Sequence, residues 1–333
     1  MNKPKVYVTR ELPERGLRII KERFDTEVWP EYAPPPKSVI IEKASKVDAL
    51  TTLLSDKMDT EVFDAAPNLR IVAQFAVGFD NIDVKEATKR GIYVTNTPGV
   101  LTETTADFAW ALLMAAARRV VEADKYVRTG KWRVGWHPMM FQGGDVYGAT
   151  LGIVGLGRIG SSIAKRAKGF DMKVLYHDVI RRQDLEKELG IEYTEIDTLL
   201  QKADFVTLNV PLLKETHHLI DEKRLKLMKK TAILINNARG PVVDERALYK
   251  ALKEGWIAGA GLDVFEQEPT PASNLLLTLD NTVVAPHISS ASFETRSKMA
   301  EMVAGNLIAF FEGKAPPNLV NQEVAKVKKP GWK

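Results

Sequence analysis

The sequence predicts an α/β protein made of two doubly wound parallel-sheet domains. Strand and helix patterns alternate over about the first hundred residues, and the alternation restarts at Thr150. Such alternation is typical of parallel sheets covered by helices on both faces. The length of 333 residues also favours two domains over one.

In the first half, short apolar segments predict strands, and amphipathic segments predict helices. The predicted strands are Lys5–Thr9, Ala49–Leu54, Arg70–Ala76 and Ile92–Asn96, and the predicted helices are Pro13–Arg23, Thr60–Ala66 and Val84–Arg90. Residues 31–37 (EYAPPPK) are predicted to form a loop, because consecutive prolines cannot continue a helix.

A long helix is predicted from Thr102 to about Arg128. Thr102 or Thr104 can cap its first turn, and Glu103 suits the positive end of the helix dipole. Residues 130–148, rich in Trp, Gly and Pro, predict an irregular loop. The second half continues with predicted strands Thr150–Val154, Lys173–His177, Phe205–Val210, Ala232–Asn236, Ile257–Val264 and Thr282–Ala285, and with predicted helices Ser161–Phe170 and Ser292–Glu312.

Composition narrows the class of protein. Hydrophobic residues make up 45% and charged residues 27%, which is typical of a globular chain. The net charge of +4 is spread along the sequence, so no nucleic-acid surface is expected. The absence of cysteine excludes disulfides and thiolate metal sites and fits a reducing cytoplasm, and no metal site is predicted. The longest apolar stretch, Phe108–Ala117, is too short to span a bilayer, so no membrane partner is expected.

A glycine cluster follows the predicted strand at Thr150–Val154. Gly155, Gly157 and Gly160 form a G-x-G-x-x-G pattern that opens a predicted helix, and Asp178 ends the next strand 18 residues later. The first glycine permits a tight turn, the second lets a pyrophosphate approach, and the third lets helix and strand pack closely. An acid at this spacing can bind a ribose hydroxyl. The pattern predicts a dinucleotide site, against the alternative of a glycine-rich turn without a ligand.

Three ionisable residues each follow a predicted strand: Arg239, Glu268 and His287. Reduction of a 2-oxo acid needs a cation that grips the carboxylate and carbonyl, which a guanidinium does with two donors. It also needs a proton donor active near neutral pH, which histidine supplies, and a carboxylate beside that ring favours its protonated form. Taken singly, each residue is more often structural, as a surface ion pair, a solvated turn or a satisfied core histidine. Their shared position at strand ends favours a catalytic set.

The chain resembles the D-isomer-specific 2-hydroxyacid dehydrogenase family over about residues 5–315. The motifs that carry the resemblance are AVGFDNID (76–83), TPGVLTETTADFA (97–109), GIVGLGRIG (152–160), NARGPVVDERAL (237–248), GLDVFEQEP (261–269) and APHISS (285–290). Within the family, residues 130–148 and 251–266 are most similar to the archaeal-type glyoxylate reductases.

This resemblance implies roles for individual residues. Arg239 binds the substrate carbonyl and carboxylate, His287 is the acid in reduction, and Glu268 holds His287. Backbone amides near Val77 and Gly78 receive the substrate carboxylate, beside Leu53. The implied cofactor contacts, besides the three glycines, Asp178, Arg239 and His287, are Thr104, Arg158, Ile159, Val210, Pro211, Thr216, Asn237, Ala238, Asp263 and Ser289. Asn237 and Ser289 depart from the residues usual in the family, which affects expected affinity and substrate preference.

The resemblance also implies a discontinuous first domain and a homodimer. Residues 1–100 with 288–333 would form a flavodoxin-like substrate domain, and residues 101–287 a Rossmann domain for the dinucleotide. The dimer would use the long helix after Thr102 and the Trp-rich loop. The expected cofactor is NAD(H), since Asp178 repels a 2′-phosphate, although Arg181 and Arg182 follow closely and keep NADP(H) possible. Several related NADPH-dependent reductases have a small polar residue and then arginine at the positions of Asp178 and Val179.

The implied activity is reduction of glyoxylate to the 2-hydroxy acid, with hydroxypyruvate as a second candidate substrate. The core motifs leave open other members of the family, of the D-lactate, D-glycerate or phosphite type. A different class also stays open, the dinucleotide-sensing corepressor scaffolds that share this fold, since those proteins keep the three ionisable residues.

Overall fold

The structure, a computed structural model, describes residues 3–331 and divides into two compact units. Unit 1 comprises Met1–Leu101 and Ala291–Lys333, and unit 2 comprises Thr102–Ser290. The ends of the predicted first domain, residues 1–2 and 332–333, lie outside the described residues. Within the part of the chain that is described, no helix is both long and apolar enough to cross a membrane.

Unit 1 is built on a five-stranded parallel sheet with the order β2-β1-β3-β4-β5. Its strands are β1 (Lys5–Val8), β2 (Asp25–Val28), β3 (Ala49–Thr52), β4 (Ile71–Gln74) and β5 (Tyr93–Thr95). Its helices are α1 (Glu14–Arg23), α2 (Lys37–Ala44), α3 (Thr60–Asp64) and α4 (Val84–Lys89), together with α12 (Phe293–Phe311) after the second unit. This order is that of flavodoxin-like sheets and confirms the predicted fold class.

The sequence did not reveal strand β2. Its residues, DTEV, are mostly polar, and alternate members are exposed because the strand lies at the edge of the sheet. The central strand β4, by contrast, is buried at every position, as its apolar sequence predicts. Edge strands carry a weak apolar signal, so sequence patterns find central strands more readily.

Unit 2 contains a seven-stranded parallel sheet with the order β12-β11-β10-β9-β6-β7-β8. Its strands are β6 (Thr150–Val154), β7 (Lys173–His177), β8 (Glu192–Tyr193), β9 (Phe205–Leu208), β10 (Ile233–Asn236), β11 (Gly259–Leu262) and β12 (Thr282–Val284). Its helices are α5 (Thr102–Ala117), α6 (Val120–Arg128), α7 (Arg158–Ala167), α8 (Gln183–Leu189), α9 (Ile196–Lys202), α10 (Glu222–Leu227) and α11 (Glu245–Lys253). The strand order reverses at β6, which pairs with β7 on one side and β9 on the other. Ligands of doubly wound sheets bind at the carboxyl ends of the strands at such a reversal.

The prediction of a single helix over 102–128 is wrong, because the helix is interrupted between α5 and α6. Arg119 adopts a left-handed backbone with φ of 51°, which an α-helix cannot contain. The carbonyl oxygen of Ala117 accepts a hydrogen bond of 3.0 Å from the amide of Gly144, in the following loop. A Cβ at Gly143 would lie 2.2 Å from the same oxygen, so glycine is needed for this close approach. The loop amide therefore satisfies a carbonyl that the next turn of the helix would otherwise bind.

Candidate active site

The glycine loop follows β6 at the point where the strand order of unit 2 reverses. Gly155 has φ of 92°, and a Cβ there would lie 2.7 Å from the carbonyl oxygen of Asn209. A Cβ on Gly160 would lie 2.1 Å from the carbonyl oxygen of Gly155. A Cβ on Gly157 would meet nothing within 4 Å. Packing therefore requires the first and third glycines, whereas the second leaves open the space a pyrophosphate would occupy.

Helix α7 begins at Arg158, three residues earlier than predicted, with Gly157 as its N-cap residue. Its first amides therefore belong to the glycine loop itself, at the positive end of the helix dipole. Arg158 is exposed and Ile159 is half-buried at this terminus. The donor set and the open space at Gly157 fit the diphosphate of a dinucleotide.

Asp178 follows β7 and is tied to the glycine loop. Its Oδ2 accepts a hydrogen bond of 2.7 Å from the amide of Leu156, and its Oδ1 accepts one of 3.1 Å from the amide of Ile180. The carboxylate is therefore held at a fixed position beside the loop that would receive the pyrophosphate. Leu156 is a contact that the glycine pattern did not single out.

The two arginines after Asp178 are paired with acids of α8. Arg181 binds both carboxylate oxygens of Glu186 at 2.8 and 2.9 Å, and Arg182 binds both of Asp184 at 3.0 and 2.7 Å. The Arg182 guanidinium lowers the pKa of Asp184 to about 2. Arg181, with help from the Tyr176 hydroxyl, lowers the pKa of Glu186 to about 2. Both arginines thus have acidic partners within their own segment.

Arg239 lies in the loop after β10, against the loop that carries Glu268. A Cβ on Gly240 would fall 1.8 Å from the carbonyl carbon of Phe265, so the residue after Arg239 must be glycine for the two loops to pack. Asn236 fixes the turn from inside, donating to the Arg239 carbonyl at 2.9 Å and accepting from the Ala238 amide at 3.1 Å. The need for glycine at position 240 therefore comes from loop packing and not from backbone flexibility.

Glu268 and His287 form a hydrogen-bonded pair. The Nδ1 atom of His287 lies 2.6 Å from Oε2 of Glu268, and the other carboxylate oxygen accepts a 3.0 Å bond from the Phe265 amide. The side chains are 28% exposed for His287 and 36% exposed for Glu268, so the pair is reachable from solvent. With Nδ1 directed at a carboxylate, Nε2 is the ring atom left to exchange a proton with a ligand.

The backbone of His287 is left-handed, with φ of 55°, and is held there by Asp263. The Asp263 carbonyl accepts from the His287 amide at 2.8 Å. The Asp263 carboxylate, which is fully buried, accepts from the amides of Ile288 at 2.7 Å and Ser289 at 2.8 Å, and from the Ser289 hydroxyl. These bonds stabilise a conformation that costs about 1–2 kcal/mol for a residue with a Cβ.

Electrostatics favour an ionised Glu268. Partial burial raises the pKa of this carboxyl, but the hydrogen bond and charge of His287, the Phe265 amide and the charge of Arg239 lower it more. The net pKa lies below the usual value of 4.5. The three predicted residues therefore interact within unit 2. Glu268 contacts His287 directly, and the charge of Arg239 acts on Glu268.

Other residues assigned to the cofactor lie around the same sheet edge. Thr216 accepts from the Leu213 amide at 2.7 Å and donates to the Pro211 carbonyl at 2.6 Å, which closes the turn after Val210. Asn237, 8% exposed, donates to the Thr105 carbonyl of α5 at 3.3 Å, one residue after Thr104. The side-chain carbonyls of Asn237 and Asn209 are buried without a hydrogen-bond partner. Such acceptors fit a donor on a bound ligand, and Asn209 had no distinguishing sequence signal.

The substrate residues predicted in unit 1 follow two neighbouring strands. Leu53 comes after β3, and Val77 and Gly78 come after β4. The side chain of Asn81 connects the two loops, since it donates to the carbonyls of Leu53 at 3.0 Å and Asp56 at 2.7 Å. Asn81 lies within the AVGFDNID motif, but nothing in the sequence indicated this contact.

A cavity of about 680 Å³ in unit 2 contains none of the predicted residues. It lies at the amino-terminal edge of the sheet, where Phe205, Ile233 and Gly259 begin their strands. Within residues 3–331, no cluster of three or more histidine or acidic side chains is arranged to hold a metal ion.

The fold and the geometry of unit 2 define a dinucleotide-binding α/β oxidoreductase with a histidine–glutamate pair. The protein-family model described as "D-isomer specific 2-hydroxyacid dehydrogenase, NAD binding domain" matches residues 110–289. The chain therefore belongs to this family. The matched residues lie within unit 2, Thr102–Ser290.

The chain is similar over nearly its full length to several glyoxylate reductases. It is 69% identical over 330 residues to the glyoxylate reductase of Korarchaeum cryptofilum, covering 99% of both chains. It is 60% identical to the glyoxylate reductase of Thermococcus kodakarensis, covering 99% of this chain and all of that one. Among solved structures, the NADPH-dependent glyoxylate/hydroxypyruvate reductase of Sinorhizobium meliloti, crystallised with NADP and malonate, has 36% identity and a TM-score of 0.86, covering 97% and 98% of the two chains.

The lowered pKa of Glu268 predicts a pH-dependent contribution to stability. A carboxyl with a depressed folded pKa stabilises the fold above its unfolded pKa, near 4.5, and loses that contribution as pH falls through the lower folded value. We expect Glu268→Gln to lower the free energy of unfolding by about 1 kcal/mol at pH 7, a figure reduced for solvent screening, and by less at pH 3.5.

Urea unfolding of both proteins at the two pH values measures this difference. The matched control is Glu254→Gln, at the exposed end of α11, which should change stability by the same small amount at both pH values. An equal loss for Glu268→Gln at pH 7 and pH 3.5 would show that ionisation of Glu268 does not stabilise the fold.

Proposed function

We propose that the protein is a glyoxylate reductase that uses a reduced nicotinamide dinucleotide. The observation that carries the proposal is the 2.6 Å contact between His287 Nδ1 and Glu268, which leaves Nε2 to deliver a proton. The full-length similarity to proteins named glyoxylate reductase supports glyoxylate as the substrate. The name of the Sinorhizobium meliloti relative favours hydroxypyruvate as a second substrate.

Each residue has a distinct part in this proposal. Arg239 binds the substrate carboxylate and polarises the carbonyl, because its two donors can grip both groups. His287 Nε2 donates a proton to the carbonyl oxygen, and Glu268 stabilises the protonated ring and fixes its orientation. Amides near Val77 and Gly78 in unit 1, beside Leu53, receive the substrate carboxylate, which makes unit 1 the substrate domain.

The dinucleotide, when bound, supplies the hydride that reduces the carbonyl carbon. Gly155, Gly157 and Gly160 with the first amides of α7 would hold its diphosphate, and Asp178 its adenosine ribose. The remaining contacts would come from residues around the carboxyl ends of β9 to β12: Val210, Pro211, Thr216, Asn237, Ala238, Asp263 and Ser289, together with Thr104, Arg158 and Ile159. A cytoplasmic location stays a prediction.

Turnover tests the proposal directly. We expect the wild-type protein to reduce glyoxylate with NADH, and we expect His287→Ala to lower kcat by about 10²- to 10⁴-fold, the usual contribution of a positioned general acid. Affinity for NADH should change little, because His287 is one of many implied cofactor contacts and its Nε2 acts on the substrate. Steady-state kinetics with glyoxylate, hydroxypyruvate and pyruvate, and fluorescence titration with NADH, give these values.

The control for this experiment is His177→Ala. His177 ends β7 and its Nδ1 contacts the Thr194 carbonyl, so it has no part in the proposed proton transfer. It should keep kcat within about threefold of wild type. If the wild-type protein turned over none of the three acids, the proposed function would be ruled out and a dinucleotide-sensing scaffold would be favoured. If the His287→Ala protein kept more than a third of wild-type kcat, His287 would not be the general acid.

We propose that NADH is preferred to NADPH. Asp178 is fixed beside the glycine loop by the amides of Leu156 and Ile180, and its charge opposes a 2′-phosphate. Arg181 and Arg182, the cations that could bind that phosphate, are engaged by Glu186 and Asp184. The pairing of both arginines therefore supports the preference set by the aspartate.

Changing the aspartate should change the preference. We expect Asp178→Ser with Val179→Arg to shift the ratio of kcat/KM for NADPH over NADH by at least tenfold, about 1.4 kcal/mol. The control, Arg181→Ala with Arg182→Ala, should leave the ratio within about threefold of wild type, because these arginines bind α8 acids. A wild-type kcat/KM for NADPH equal to that for NADH would contradict the preference.

We propose that the protein is a homodimer through α6 and the loop that follows it. Apolar side chains at least half exposed are concentrated in this segment: Val120 at 53%, Val121 at 50%, Val127 at 51%, Trp132 at 54%, Val134 at 58%, Trp136 at 79% and Met139 at 66%. A run of large exposed apolar side chains is characteristic of a protein–protein interface.

Sedimentation measures the assembly. We expect wild type at twice the chain mass of 37.1 kDa, and we expect Val121→Asp with Val127→Asp to shift the protein towards a single chain. Val179→Asp is the matched control, since Val179 is 97% exposed in the same unit but outside this segment, and it should stay dimeric. A wild type that sediments as a single chain at micromolar concentration would exclude the dimer.

A further inference from the structure

The loop after β4 has its first peptide groups fixed from behind by a side chain. The Nδ2 atom of Asn96 donates a hydrogen bond of 2.8 Å to the carbonyl oxygen of Val77. That carbonyl and the amide of Gly78 belong to one planar trans peptide unit, so they point in opposite directions. The bond to Asn96 therefore directs the Gly78 N–H away from Asn96.

Asn96 is itself held by its neighbours. It follows β5, the strand next to β4, and its backbone amide donates to the carbonyl of Asn318 at 3.2 Å. Its backbone carbonyl accepts at 3.2 Å from the side chain of Asn306, which is 1% exposed. Asn306 in turn accepts from the amide and the side chain of Asn318 at 3.2 and 3.1 Å. A closed set of neutral amides thus fixes the position from which Asn96 donates.

The neighbouring loop is joined to the same peptide groups. Gln74, fully buried at the end of β4, donates to Asn81 Oδ1 at 2.8 Å and makes a longer contact of 3.4 Å with the Gly78 carbonyl. Thr52 donates to the side-chain oxygen of Gln74 at 2.6 Å, and Asn81 binds the carbonyl of Leu53. Hydrogen bonds therefore connect the loops after β3 and β4 into one surface.

We propose that Asn96 is a positioning residue that aims the Gly78 amide at the substrate carboxylate. This inference rests on the proposed function, in which that amide receives the carboxylate. An asparagine suits the task because it donates to the Val77 carbonyl without adding charge near an anionic ligand. A carboxylate at position 96 would repel the Val77 carbonyl and favour a rotated peptide, which would turn the Gly78 N–H away from the ligand.

The expected signature is a split between KM and kcat. A carboxylate that the reaction leaves unchanged is bound alike in the ground and transition states, so weaker binding raises KM and leaves kcat nearly constant. We expect Asn96→Asp to raise KM for glyoxylate at least tenfold and Asn96→Ala to raise it at least threefold, with kcat within about threefold of wild type. Affinity for NADH should match that of wild type.

Asn281→Asp provides the matched control. Asn281 also donates to two backbone carbonyls, those of Leu252 and Ala258, at 3.3 and 3.2 Å, but in unit 2 before β12. The same chemical change there should leave KM for glyoxylate unchanged. Thermal unfolding of each variant shows whether it is folded at the assay temperature, and Asn96→Ala, which adds no buried charge, supplies the test if Asn96→Asp does not fold.

Calorimetric titration of the NAD-loaded protein with oxalate separates this inference from the proposed function. Weaker oxalate binding in both Asn96 variants, with wild-type binding in Asn281→Asp, supports the inference even if wild type does not reduce glyoxylate. Oxalate binding and KM equal to wild type in a folded Asn96 variant would overturn it. An equal fall in kcat and NADH affinity would also overturn the inference, because it would indicate general structural damage. A wild-type protein that binds no oxalate would overturn it as well.

Discussion

The candidate catalytic geometry depends on one buried carboxylate, that of Asp263. It accepts the amides of Ile288 and Ser289 and the Ser289 hydroxyl, and its backbone carbonyl accepts the amide of His287. A buried carboxylate needs several donors to offset the loss of hydration, and this turn supplies them. The left-handed backbone of His287 is the conformation that brings those donors to Asp263. The ring position of His287, and so its contact with Glu268, follows from this anchoring.

The same anchoring explains how Ser289 affects the site. Ser289 departs from the residue usual in the family, and an effect on affinity and substrate preference was expected from it. The structure shows the Ser289 hydroxyl directed at Asp263, where it adds a donor to the buried carboxylate. Ser289 is itself only 6% exposed, so its side chain is part of the anchor.

Much of the fold could be predicted from the sequence, because buried parallel strands are short, apolar and bounded by turns. The glycine loop was also predictable, since Gly155 and Gly160 meet backbone atoms that exclude any side chain. The polar edge strand β2 and the break at Arg119 were not, because both depend on neighbours distant in sequence. The contacts of Asn81 and Asn96 were hidden for the same reason, as amide side chains show no local pattern that reveals their partners.

The side chains that connect one functional loop to the next differ in charge between the two units. In unit 1 neutral amides join the loops after β3 and β4, while the buried Asp56, paired with Arg10 at 2.9 Å, accepts from the Leu53 amide at 2.8 Å within the loop after β3. Neutral donors can orient backbone amides towards an anion without opposing its charge. In unit 2 carboxylates make these connections: Asp263 and Asp178 accept backbone amides of a neighbouring loop, and Glu268 contacts the His287 ring. Those carboxylates accept hydrogen bonds from the protein's own donors, which offsets part of their negative charge.

The net charge of the three ionisable residues also changes during the proposed reaction. Glu268 stays ionised, because its pKa is lowered by His287, the Phe265 amide and Arg239 despite partial burial. With His287 protonated, Arg239, Glu268 and His287 carry a net charge of +1, which attracts an anionic 2-oxo acid. After the proton has passed to the substrate oxygen, the same three residues are neutral. The set therefore attracts the anion most strongly in the protonation state that can reduce it, and holds the product anion less strongly.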